Sequence, residues 1–560
     1  MRITPGPGNR GPRRANPLVT AVVLLAVILV AAACGQPAAA RPFPRTAPVH
    51  PVVRIKPIPT VAVTKLGPSG VVSSAVVDEN QQPGTAAWRI TDQGAGSIDG
   101  FADLNYAAVG NIVHLFVSTT APTFTVTAYR MGWYQGLGAR EIWASAPIAG
   151  TVQPPCPVTP VTNMVSCANW TPDVTMPVTP AFVPGDYLLK LVGSGNQQAY
   201  VLLTVWDPSS HATYLIMNRS LVEQGWNTFD GYSFYAGVGP CILDSNTYPV
   251  CDRARVVSFD RPYAGDGSSD FLTNEYPLVA YAEELGLDVT YCTDICISEH
   301  PTFVLQHRAL LGLDHDETWT NSERLAVIDA FDAGVNVAFL GAATLVRHAR
   351  LQPSALGPDR EEVDYRNGAE DPLDGKIDPK EVTGNTWASP PTDWVASAFL
   401  GQLYSGYLQS GQPSVAMKVF DASAWIFKGT GLADGDLIPG VINSDIDHVD
   451  PGGPKPADLQ VLAHSPIPLA EAFTAEGKWN GFTYSDMTYY TNATSHAGLF
   501  DSGDNVWVAT LVRCPATDPT CPSSYTRRIT GNLLWLFGQG PAGSKVPSTA
   551  NWTTVTPPGS

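Results

Sequence analysis

Positive charge is scarce in this 560-residue chain, where 33 Lys and Arg stand against 51 Asp and Glu for a formal net charge of -18. That balance excludes nucleic-acid binding, which leaves a basic footprint. Only 15% of residues are charged, which excludes a chain built from solvated, salt-bridged helices. The ten His form no paired spacing and no C-x-x-C occurs, which argues against a zinc site. No G-x-S-x-G is present either, so the nucleophile-elbow route to hydrolysis is missing. The uncharged run Leu18 to Ala33 is about sixteen residues, short for a membrane helix.

What the chain does have is turn chemistry, with 50 Gly and 49 Pro. Arg2, Arg10, Arg13 and Arg14, then the uncharged run, then Ala31-Ala32-Ala33-Cys34 make an export signal over residues 1–34. The segment before Cys34 resembles a bacterial lipobox, which would lipidate Cys34 and anchor the exported protein on the outer face of the cytoplasmic membrane. Pro37, Pro42, Pro44, Pro48, Pro51, Pro57 and Pro59 make residues 35–68 a linker. The other eight cysteines fall into near neighbours, Cys156 with Cys167, Cys241 with Cys251, Cys292 with Cys296, and Cys514 with Cys521. Local disulfides in an oxidising compartment are the economical reading, each worth about 2 to 3 kcal/mol.

From 69 to 207, short alternating runs such as Ile112 to Val117 and Tyr200 to Val205 predict an antiparallel β-sandwich. Within it Tyr129 to Arg140 crowds aromatics and two arginines around glycines, which suits either a ligand platform or edge packing with a tight turn. From 208 to 540 apolar runs alternate with helical stripes, the pattern of an α/β domain with a Gly-, Pro- and Asp-rich insertion at about 355–505. Asp371, Asp374 and Asp378 lack the regular spacing of a calcium loop. Residues 541–560 read as a disordered tail.

The chemistry concentrates at His315-Asp316-Glu317, directly after the apolar run Ala309 to Leu313. In open α/β sheets ligands bind at such strand ends. Thr320 and Glu323 form a capping-box pattern, so a helix should begin right after the acidic turn. Glu317 and His315 have three readings: ligands of a cation that acidifies water, a metal-free base, or structural partners of the following helix. Trp226, Phe229, Tyr232, Phe234 and Tyr235 lie close together and are candidate pocket lining.

Gly225-Trp226-Asn227, Gly231 to Tyr235, Ser258 to Tyr263, Leu287 to Tyr291, His315 to Glu317, Phe339 to Ala342, Gly429 to Leu432 and Val461 to Pro466 occur in an order that resembles the C-terminal domain of the large (beta) subunit of N,N-dimethylformamidase. The resemblance spans residues 208 to 540. It implies a glutamine-amidotransferase-like α/β domain with a mostly parallel sheet, preceded by a β-rich, immunoglobulin-like region. It also implies amide hydrolysis at an iron held by two tyrosines and a glutamate, with Glu317 matching the glutamate of the family's H-x-E-Y-W run and Tyr232 and Tyr235 as candidate tyrosine ligands. Thr318 replaces the tyrosine of that run, and Gly225-Trp226-Asn227 stands where the family has Ala-Tyr-Asn. Two functions follow: a hydrolase of a carbon–nitrogen amide bond acting on a small-molecule amide, or a non-catalytic cell-surface protein that binds a glycan or envelope component. Mass spectrometry without reduction is expected to find the four local cysteine pairs; free thiols at those eight positions would refute the pairing.

Overall fold

The computed structural model of the protein describes residues 63–555, apart from 92–96, 239–241, 244–248, 251, 409–411, 469–471, 475–481, 516–517 and 519–520. Cys34 and the Cys241–Cys251 pair lie outside the described residues. Cys156–Cys167, Cys292–Cys296 and Cys514–Cys521 are disulfides, three of the expected pairs.

The front of the chain is two packed antiparallel sheets. Val174–Pro177, Ile112–Thr119 and Ile98–Ala102 make one. Gln198–Val205, Gly185–Gly193, Thr123–Met131 and Ala139–Ala144 run side by side in the other. Alternate residues from both, including Val113, Leu115, Val126, Leu189 and Leu203, are fully or almost fully buried between them. This is the layered β region that period-two alternation predicts.

A seven-stranded mixed sheet follows, in the order Val289–Thr293, Tyr214–Asn218, Ala309–Leu313, Asn336–Leu340, Gly498–Asp501, Phe482–Thr491 and Gln460–Pro468. The first four pairings are parallel and the last two antiparallel. Ile216, Leu311 and Ala338 face helices Tyr276–Glu284 and Ser523–Phe537, while Met217, Leu310 and Val337 face helix Asn321–Asp332. Burial on both faces explains why the parallel strands read as continuous apolar runs. The helix after the acidic turn starts as expected: Thr320 accepts from the Glu323 N–H at 3.1 Å, and Glu323 accepts from the Thr320 N–H at 3.3 Å.

Three boundaries differ from the sequence reading. The insertion is shorter than 355–505, because Gln460–Pro468, Phe482–Thr491 and Gly498–Asp501 belong to the main sheet. Gln460–Pro468 is the edge strand, where Pro466 and Pro468 cost no interior ladder bond, so its prolines hid it. The linker ends before 68, because Thr64–Gly67 pairs with Gly70–Ser73. Finally, residues 541–555 lie on the domain. Asn551 accepts from the Val461 N–H at 2.7 Å and donates to its carbonyl at 2.9 Å, covering one end of an edge whose next residues are bonded by Val419 and Phe420.

The Tyr129 to Arg140 segment is packing and not a platform. Arg130 forms a two-toothed ion pair with Glu283 at 2.6 and 2.9 Å, and Tyr291 and Asn80 also donate to Glu283, at 2.7 and 2.8 Å. Arg140 binds Glu79 at 2.7 and 3.0 Å, and Tyr134 donates to the same carboxylate at 2.6 Å. Glu79 and Asn80 end a short helix, Ser74–Asn80, so the network joins the β layers, the N-terminal segment and the α/β sheet. Removing one partner strands a buried charge. Glu283→Ala is expected to destabilise the protein by about 3 to 5 kcal/mol in chemical denaturation, and a loss below about 1 kcal/mol would refute this role.

Candidate functional site

Strands Tyr214–Asn218, Ala309–Leu313 and Asn336–Leu340 run parallel and therefore end on one side, delivering Arg219, the turn Asp314 to Glu317, and Gly341 to Leu345 to the same edge. The backbone there is strained: Asp314, Ala343 and Leu345 have φ of 47, 55 and 59°, in the left-handed region that ordinary residues avoid. The two turns touch so closely that a Cβ on Gly341 would stand 1.5 Å from the Asp314 carbonyl oxygen. Glycine is obligatory at that position.

Glu317 is the centre of this edge and is 5% exposed. Trp226 donates its indole N–H to Oε1 at 3.0 Å, and the Tyr235 hydroxyl donates to the same oxygen. His315 Nε2 stands 3.4 Å and Arg347 Nε 3.8 Å from Oε2. The Trp226 and Tyr235 rings are stacked at 3.6 Å, with the Arg366 guanidinium 3.8 Å from the Tyr235 ring centre. Trp226 nevertheless remains 43% exposed.

The sequence places these groups through a buried hub. Trp226 ends helix Ser220–Trp226, and Asn227 fixes the chain beyond it by accepting from Phe229 and Ala264 and donating to Pro262. Arg261 binds the Gln224 side chain at 3.0 Å and the carbonyls of Asn227 and Tyr232 at 3.1 and 2.8 Å. Three of the ordered segments are thus tied to one guanidinium. Arg347 arrives on strand Arg347–Gln352, which pairs in parallel with Thr318–Thr320 directly after Glu317.

Charge follows from this geometry. Burial alone would raise the Glu317 carboxyl, but the charge and hydrogen bond of His315, together with Arg347 and Arg366, hold it well below the usual carboxylate range. Burial would lower His315, yet Glu317, Asp445 and Asp314 raise it to about 9, so it is protonated at neutral pH. Burial first, then Glu317, holds the Tyr235 phenol above its ordinary value against the opposing arginines. Behind the site, burial raises Asp314 to about 6 and Asp316 to about 7 despite Arg219.

Sequence reasoning named Glu317, His315, Tyr232 and Tyr235, and the structure brings three of them together. Tyr232 is not among the groups contacting Glu317; its ring packs toward Phe234, Ala254 and Val257. Arg347, Arg366 and Asp445 were missed. The available signal was the basic pattern Arg347-His348-Ala349-Arg350 shortly after a strand end.

The donor set does not fit an iron held by two phenolates and a carboxylate. Tyr235 and Glu317 supply one of each, but Trp226 occupies the position beside them and offers only an N–H, with no lone pair for a metal. The other two side chains within 4 Å of Glu317, His315 and Arg347, each present a positive charge to it. Among the described residues, no group of three His, Cys, Asp or Glu side chains is arranged to hold a metal ion.

A family model described as N,N-dimethylformamidase beta subunit-like, C-terminal, matches residues 125–521. No curated protein matches the chain. Among solved structures, a Paenibacillus sp. cycloisomaltooligosaccharide glucanotransferase complexed with cycloisomaltoheptaose is similar over 64% of this chain and 67% of that one, at 8% identity and a TM-score of 0.15. That likeness is too slight to bear on fold or function.

The His315–Glu317 pair has a pH signature. His315 titrates higher when folded than its unfolded value of about 6.5, so the pair's stabilisation is complete below that pH and is lost as pH rises toward 9. Glu317, depressed when folded, adds stability above its ordinary value that is lost in acid. The stability advantage of the native protein over Glu317→Gln is therefore expected to shrink between pH about 6.5 and 9. Nuclear magnetic resonance should show the His315 titration falling in the variant; an unchanged titration would refute the pairing.

Proposed function

The chain belongs to the N,N-dimethylformamidase beta subunit-like C-terminal family, and from that premise we propose that it is an exported binding protein which uses the family's fold, without the family's iron, to hold a small amide or a similar polar envelope ligand. In this reading the mixed sheet is the glutamine-amidotransferase-like core, the β layers before it are immunoglobulin-like, and Cys34 carries the lipid anchor at the cell surface. The three disulfides support an oxidising, non-cytoplasmic setting. Among the described residues, no helix is long and apolar enough to cross a membrane.

One observation carries the proposal: Trp226, Tyr235, His315 and Arg347 all direct protons or positive charge at Glu317. A carboxylate so stabilised is a weak base, because proton-abstracting power falls with pKa. With a displaced phenolate and a spent carboxylate, neither metal-assisted nor base-assisted attack of water has its reagent. Recognition remains well served. The exposed Trp226 ring offers a flat apolar surface, and His315 and Arg347 offer N–H groups to a carbonyl oxygen.

Hydrolysis of a carbon–nitrogen bond is the second reading, favoured by family membership and by His315, a protonated acid able to supply a leaving amine with its proton. General acid catalysis alone contributes about 100- to 10,000-fold, little against a stable amide. Metal analysis of the purified protein, with amide hydrolysis assayed in parallel, separates the readings. The expected result is no stoichiometric iron and no turnover that depends on Glu317. Stoichiometric iron lost in Glu317→Ala, with loss of amidase activity, would overturn the proposal.

A further inference from the structure

A cavity lined by none of the groups around Glu317 opens where four parts of the chain meet. Its volume is about 390 Å³, in the range of small-molecule sites, which favour such junctions. Tyr106 comes from the β layers, Trp206 from the segment just after their last strand, Glu299 and His300 from the end of helix Asp294–Glu299, and Asp359 from the polar insertion.

The walls are of two kinds. Trp206 and His300 are stacked at 4.7 Å, and the Tyr106 ring stands nearly perpendicular to both, at 5.6 and 6.2 Å. The Tyr106 hydroxyl donates to Glu299 and holds it against this aromatic wall. Asp359 lines the same cavity. Burial, and then the charge of Asp359 and a hydrogen bond shared between the two carboxyl groups, hold Glu299 above the usual carboxylate value against the Tyr106 hydroxyl. The pair therefore retains a proton between them and one net negative charge.

No cation of the lining is free to balance the charge that remains. Arg360, the guanidinium of the cavity, is already committed to Asp260 at 2.8 Å, Asn105 at 2.9 Å and the Ala102 and Phe259 carbonyls. Asp103, a further lining carboxylate, is bound to His114. The cavity is therefore acidic and aromatic at once. Anions are repelled, and a neutral ligand would leave the carboxylates uncompensated. A bare metal ion would leave most of the volume and the rings unused. An organic cation satisfies both walls, with its charge facing Glu299 and Asp359 and its carbons against the rings.

We propose that the Tyr106, Trp206, His300, Glu299 and Asp359 cavity is a binding site for a small organic ammonium ion. It is independent of Glu317 and of the function proposed for that site.

Isothermal titration of the purified full chain with choline, and with its uncharged isostere 3,3-dimethylbutan-1-ol, tests this. Choline is expected to bind and the isostere to bind at least about tenfold more weakly, the scale of an ion pair and a cation–π contact together. The Glu299→Gln, Asp359→Asn double variant should lose choline affinity by at least about tenfold while its melting temperature stays unchanged. If that variant unfolds, Asp359→Asn alone, at a half-exposed position, gives the same reading with a smaller loss. Equal affinity for the isostere, displacement of choline by equimolar calcium, absence of choline binding at millimolar concentration, or wild-type affinity in the variants would each overturn the proposal.

Discussion

The Arg130–Glu283 ion pair is the constraint on which the architecture depends. Burying two full charges is expensive, and their attraction offsets that cost only where the geometry is good and the remaining protons and lone pairs are satisfied. Here they are: Arg130 also donates to the Pro184 carbonyl at 2.9 Å, and Tyr291 and Asn80 complete Glu283. Arg130 lies on a strand of the β layers, Glu283 on a helix of the α/β sheet, and Asn80 on the N-terminal helix. The network admits one relative placement of the three, and the strand ends are held in place accordingly.

At those ends the same physics yields a different result. Around Arg130 each carboxylate is matched by one guanidinium, whereas at Glu317 two cationic side chains, His315 and Arg347, converge on one carboxylate. The first arrangement fixes domains. The second gathers side chains around Glu317, keeps His315 protonated and Glu317 ionised, and leaves the Trp226 ring exposed. At Glu317 the neighbouring ring is an indole, whose N–H donates to the carboxylate and brings no lone pair for a metal.

Much of the core could be read directly from the chain. The runs Ala309 to Leu313 and Val335 to Leu340 are strands because burial on both faces demands continuous apolar sequence, and Thr320 with Glu323 marks the helix start chemically. The edge of the sheet was harder, because Gln460–Pro468 carries prolines, a feature it shares with loops. Asn551 gave no signal at all: one polar side chain bonding an edge backbone has no periodicity. In the site, Glu317 was visible from its position after a strand, and Tyr235 from its motif. Arg347 and Arg366 were not, because their meeting with Glu317 depends on parallel pairing and on a loop fold that spacing does not encode.

The N-terminal hairpin has a consequence for how the molecule is made. Val71 donates to the Tyr214 hydroxyl and accepts from the Asp288 N–H, both at 2.9 Å, and Glu79 and Asn80 find their partners at Arg140 and Glu283. These are among the first of the described residues to leave the ribosome, yet the partners of Glu79, Val71 and Asn80 are synthesised 61, 143 and 203 residues later. Closing so long a loop is entropically slow, so Asn80 must wait for Glu283 until the helix ending at Glu284 has emerged. At that joint the beginning of the described chain is therefore fastened only after a segment made about two hundred residues later has appeared.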